Sequence, residues 1–163
     1  MMRIFIFLTL LIVLVGCQNE QTIPDGFYTY EKSEIKNAIS DLSFQPEIPE
    51  YVPMKVDFFV SDLFMVKDSN KEALDVSFYT RTNDLLSIQF IEGETDAVTT
   101  DAETVNINET IKGKYIDDSF SKVLYWSKDD ITYKITYRDG DMEQTSTVIS
   151  KSDLIKVAKS FQS

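Results

Sequence analysis

Between Ser33 and Phe44 the apolar residues Ile35, Ala38, Ile39 and Leu42 fall at i, i+3, i+4 and i+7, which predicts an amphipathic helix with Ser33 as its N-cap. Pro46, Pro49 and Pro53 forbid its continuation, because proline has no amide donor and biases the residue before it toward extended geometry. Beyond Pro53 the period changes to two. Val56, Phe58 and Val60 alternate with Lys55, Asp57 and Ser61, and Phe59 breaks the alternation, which suggests a strand covered on both faces. The runs Leu74, Val76, Phe78 and Leu86, Ile88, Phe90 flank Arg81-Thr82-Asn83-Asp84 and predict a hairpin.

The stretch from Glu92 to Thr104 is poor in apolar residues and bears Glu92, Glu94, Asp96, Asp101 and Glu103, the pattern of a solvated loop. Short strands follow around Val105 to Ile107, Ile111 to Ile116 and Lys122 to Trp126, with a turn at Ser127-Lys128-Asp129-Asp130. The cleanest strand is Ile131 to Tyr137, where Ile131, Tyr133, Ile135 and Tyr137 oppose Thr132, Lys134, Thr136 and Arg138. Asp139-Gly140 marks a further turn into a strand at Glu143 to Ile149, and Leu154, Val157, Ala158 and Phe161 stripe a closing helix near Ser152 to Phe161. The expected fold class is α+β: a curved, largely antiparallel sheet of about six strands with an N-terminal and a C-terminal helix.

The first sixteen residues stand apart from this domain. Met1 to Arg3 give a short positive start, and Ile4 to Val15 are apolar except for Thr9. Twelve helical residues span about 18 Å, short of the roughly 30 Å hydrocarbon core, so the run reads as a signal peptide and not as a membrane span. It ends in Leu14-Val15-Gly16-Cys17, which resembles the bacterial lipobox. Gly16 has no side chain to obstruct a peptidase approaching the bond before Cys17. The resemblance implies a diacylglyceryl thioether with palmitate-type chains on Cys17, and two acyl chains suffice for stable anchoring. The alternative is an uncleaved anchor with Cys17 as an ordinary thiol. The expected organisation is a lipoprotein signal peptide over 1–16, a tether over 17–32 and one α+β domain over 33–163. Phe27, Tyr28 and Tyr30 leave open a docked arm in place of a free tether.

Composition narrows the chemistry. Sixteen basic against 27 acidic residues give a formal net charge of -11, which repels phosphate-rich partners, so nucleic-acid binding is not expected. The chain has no histidine, hence lacks the usual neutral-pH general base, and Cys17 is its single cysteine, which excludes an internal disulfide and a thiolate zinc cage. No cofactor or metal site is expected. The acidic stretch after Glu92 fits no calcium-loop spacing, and Asn108-Glu109-Thr110, although it fits a glycosylation pattern, is incidental beside a bacterial lipobox. Asp117-Asp118 and Asp129-Asp130 read as turn residues.

Three further segments carry a family resemblance. Pro49-Glu50-Tyr51-Val52-Pro53 is similar to a P-x-Y-L-P strand entry. Leu124-Tyr125-Trp126 with Tyr133 is similar to an L-x-W hairpin with a partner tyrosine, and Ser150 to Ser160 resembles a closing S-K-E-E-L-I-K-I-A-E-S helix. Together they resemble an uncharacterised domain family of Gram-positive envelope lipoproteins, also found in some sporulation and sigma-factor-regulating proteins. The likeness covers roughly Phe44 to Phe161 and departs at Met54-Lys55-Val56, where the family continues with glycine and an aromatic residue. It implies a fold more than an activity.

Tyr51, Trp126 and Tyr133 could line a ligand groove, but aromatic residues at alternating strand positions usually build a core. An enzyme would need a carboxylate pair, and the sequence singles none out. The expected role is therefore non-catalytic: binding or regulation on the extracytoplasmic face of the cell membrane, through the lipid on Cys17, with an envelope protein as partner. The alternative is a lipoprotein-carrier-like module holding an apolar ligand against the sheet.

Overall fold

The computed structural model describes residues 22–95, 101–118, 120–140 and 149–162. Gly16 and Cys17, residues 96–100 of the acidic stretch and residues 143–148 of the expected last strand lie outside them. Among the described residues no helix is long and apolar enough to cross a membrane.

In chain order the elements are α1 (Ser33–Ser40), β1 (Ile48–Pro49), β2 (Phe58–Val66), β3 (Lys71–Tyr79), β4 (Leu85–Glu92), β5 (Glu103–Asn106), β6 (Lys112–Asp117), β7 (Lys122–Lys128), β8 (Ile131–Arg138), α2 (Lys151–Lys159) and β9 (Phe161–Gln162). Seven strands form one antiparallel sheet in the order β2-β3-β4-β8-β7-β6-β5, and β1 pairs with β9 in a separate two-stranded ribbon. The α+β class and the antiparallel sheet are as the sequence pattern predicts; among the described residues the sheet has seven strands rather than about six.

Register explains how alternation becomes a core. Phe78, Leu86 and Tyr137 are successive cross-strand partners, as are Val76, Ile88, Ile135, Leu124 and Tyr115, and likewise Leu74, Phe90, Tyr133, Trp126 and Gly113. All lie on one face, where Leu74, Leu86, Leu124 and Ile135 are fully enclosed. Ile35 and Ile39 of α1 and Leu154, Val157 and Ala158 of α2 join the same cluster, so both helices cover this face. Each such side chain contributes about 1.5–3 kcal/mol by leaving water.

Three local expectations change. The first helix ends at Ser40, whose hydroxyl donates to Asn37 O at 2.6 Å. Its N-cap is Lys32 and not Ser33; Ser33 N–H instead donates to the Glu31 carboxylate at 2.9 Å. The strand after Pro53 runs from Phe58 to Val66, and it is an exposed edge strand instead of one covered on both faces. The apolar residues on both of its sides gave that impression. An edge strand presents them to solvent.

Turn chemistry fixes the hairpins. Asp129 and Asp130 both take positive φ (52° and 59°) in the two-residue connection between Lys128 and Ile131, the arrangement whose twist suits a hairpin. In the β3–β4 turn, Asp84 is buried, and its carboxylate accepts from Thr82 Oγ1 at 2.8 Å, Thr80 Oγ1 at 3.1 Å and Gly140 N–H at 3.0 Å. That last bond ties the end of β8 to a turn 56 residues earlier. Helix α2 begins with a reciprocal capping box between Ser150 and Asp153, and Lys156 and Lys159 complement the dipole in its last turn.

Candidate binding surface

The three motif segments of the sequence meet in one place. Pro49 pairs with Phe161, and Glu50 N–H donates to Ser160 O at 3.0 Å. Beneath this ribbon Trp126 and Tyr133 stack with centroids 5.1 Å apart and planes 6° from parallel, and the Phe161 ring stands edge-on to both. Burial pushes the Tyr133 phenol up to about 12, and its oxygen accepts from Glu47 N–H at 3.2 Å. Tyr51 is half-buried against Phe27. These aromatic residues form core, and the groove reading of them finds no support in their geometry.

The N-terminal stretch joins the same packing. Phe27 is buried, Tyr28 and Val52 exchange backbone hydrogen bonds of 2.9 Å each way, and Tyr30 packs edge-on to Phe78 while its hydroxyl donates to Pro49 O at 2.6 Å. Lys32 reaches Glu50 at 2.7 Å. From Phe27 onward the chain belongs to the domain, within the stretch expected as a tether.

The acidic residues that the sequence offered as candidates take separate tasks. Glu92 accepts from Glu72 N–H at 3.2 Å, and Glu103 pairs with Lys151 at 2.8 Å. Asp118 accepts from the amides of Phe120 and Ser121, which holds its carboxyl below the usual range. Asn108 accepts from the amides of Thr110 and Ile111 and so closes the β5–β6 turn. Among the described residues no three His, Cys, Asp or Glu side chains are grouped to hold a metal ion. A shallow polar hollow of about 590 Å³ lies between Lys71, Glu92, Gly93 and Asp130. A second, of about 490 Å³, lies by Tyr28, Met54, Arg81, Asp84 and Tyr137.

The exposed apolar side chains concentrate elsewhere. Of β2, Phe58 (55% exposed), Val60, Leu63, Phe64 and Met65 (57%) all face solvent. Pairing with β3 places Phe58, Val60, Asp62 and Phe64 on the sheet face away from the helices, and Phe59, Ser61, Leu63 and Met65 on the helix side. Asp62 sits midway along the strand, directly opposite Asp75. Asp75 is held by neutral donors, Ser87 Oγ at 2.6 Å, Ser77 Oγ at 2.7 Å and Gln89 Nε2 at 3.0 Å. Asp62 is exposed, and no described residue bonds to its carboxylate. The opposite edge, β5, has four residues against nine and carries an ion-paired Glu103.

Sequence reasoning passed over Leu63 to Val66, and the available signal was their run without proline or lysine directly before the Lys67-Asp68-Ser69-Asn70 turn. No family model, no curated protein and no solved structure matches this chain.

Proposed function

We infer that this chain is an extracytoplasmic lipoprotein, anchored to the membrane by acyl chains on Cys17, whose folded domain binds a partner without chemical turnover. The observation that carries the anchor is the apolar run Ile4 to Val15 ending in Leu14-Val15-Gly16-Cys17 behind Arg3. The observation that favours binding is the contrast between the body of the sheet and its β2 edge. From β3 onward the helix-facing side is packed by one continuous core, whereas β2 keeps apolar side chains of both its faces in water. The filled helix-facing side favours recognition at the surface over carriage of an apolar ligand inside.

Membership of the envelope-lipoprotein family rests on the three motif segments, and their convergence at the Pro49–Phe161 pair supports that reading. Phe27, the first buried side chain of the described residues, lies ten positions after Cys17. An extended chain reaches at most about 3.6 Å per residue, so the anchor would hold the domain within roughly 35 Å of the bilayer. The sheet, which we read as curved about its helices, serves as scaffold.

Cell fractionation of a Cys17→Ser variant tests this. The variant is expected to leave the membrane fraction while keeping the circular dichroism spectrum of the parent. Unchanged membrane retention would refute the anchor.

A further inference from the structure

We propose that β2 is the docking edge for an extended peptide segment of a partner protein, and that this segment carries a lysine or arginine opposite Asp62. The inference deepens the binding reading above and does not depend on the lipid.

Four observations lead to it. In an antiparallel pair, alternate residues turn their N–H and C=O groups away from the partner strand, so between Phe58 and Met65 alternate residues offer backbone groups that no described strand pairs, while Val66 O accepts from Ser69 in the turn. Such an edge is normally blunted by lysine, proline or shortness. The β5 edge is short, while β2 runs for nine residues without lysine or proline, its one charge being Asp62. Added strands gain backbone hydrogen bonds from the edge and specificity from side chains on either face. Here Leu63 and Met65 on one face and Val60 and Phe64 on the other are apolar and exposed on both sides of the line of addition.

Charge identifies the occupant. Asp62 and Asp75 are cross-strand neighbours, and like charges so placed repel. Asp75 is bonded to three neutral donors, and no described residue bonds to Asp62. A cation on the incoming strand opposite Asp62 would relieve both. A second copy meets the opposite situation. Asp62 is the midpoint of β2, so full antiparallel overlap sets Asp62 against its own copy, in a chain whose net charge is -11. Lipid fits poorly as well, since acyl chains cannot satisfy backbone groups and a central carboxylate is costly in hydrocarbon.

The test uses the full chain purified in detergent from whole cells and two nine-residue probes matched to β2 in length, built from valine and threonine with either lysine or glutamate at the centre. The lysine probe is expected to bind saturably and to protect alternate amides between Phe58 and Val66 from hydrogen exchange. The glutamate probe should bind roughly fivefold more weakly, the size expected when an exposed charge pair changes sign. Asp62→Lys should reverse that order, and Leu63→Lys should weaken both probes. Failure of both probes to bind overturns the proposal, as does binding indifferent to Asp62→Lys. Two further results would also overturn it: a dimer in sedimentation that Leu63→Lys abolishes, and protection of β2 amides by anionic vesicles with no peptide present. The intact mass of the same preparation reports the anchor separately, so failure of the edge is distinct from failure of the lipoprotein reading.

Discussion

Removing the Phe161 ring probes the point where the motif segments converge. That ring stands edge-on to Trp126 at 5.0 Å and to Tyr133 at 5.4 Å, and it lies 6.4 Å from Phe90. Truncating a buried phenylalanine to alanine costs about 3–5 kcal/mol, through lost transfer energy and the cavity left behind. A domain of this size has about 5–15 kcal/mol in all, so Phe161→Ala removes a large share of it and should lower Tm by about 10 °C. Trp126 is the single tryptophan, and its fluorescence during urea unfolding reports from the site of damage. Leu63→Ala is the control: Leu63 is 46% exposed on β2, and its truncation should cost less than about 1 kcal/mol. A Phe161→Ala loss below about 1 kcal/mol, or an equal loss in Leu63→Ala, would refute this account of the core.

Two other predictions concern buried polar groups. Asp84→Ala deprives Thr80, Thr82 and the Gly140 amide of their shared acceptor and should cost about 2 kcal/mol in urea unfolding, with the β3–β4 turn losing amide protection first. Burial raises the phenols of Tyr30, Tyr115, Tyr133 and Tyr137, with nearby carboxylates adding to the shift, and Tyr133 reaches about 12. Between the unfolded value near about 10 and the folded value the native state binds more protons, so stability is full below pH ~10 and is lost as pH rises toward 12. The phenolate absorbance of these four tyrosines should therefore appear together with loss of the circular dichroism signal; ionisation of all eight tyrosines before unfolding would contradict it.

The parts of this fold that obey one local rule were legible in the chain. Alternation at Ile131, Tyr133, Ile135 and Tyr137 marks β8 because every one of those side chains is buried on the same face. The β3–β4 hairpin and the closing helix follow equally from period and turn residues. The β2 edge was not legible, since a strand apolar on both faces reads as a buried one and only topology reveals that no described strand pairs with its outer side. The bond from Gly140 N–H to Asp84 spans 56 residues, which no window of periodicity contains. Leu42 continues the helical stripe and is buried, yet it lies past the helix end at Ser40, because a turn closed by Leu42 N–H on Ile39 O brings it to the same core.

In the proposed reading the address of the protein depends on one covalent event at Cys17, and the mass of the N-terminal peptide from detergent-extracted protein tests it most directly. The account predicts a chain that begins at Cys17 and carries a diacylglyceryl group. A chain that begins at Met1 with no acyl mass on Cys17 would contradict it.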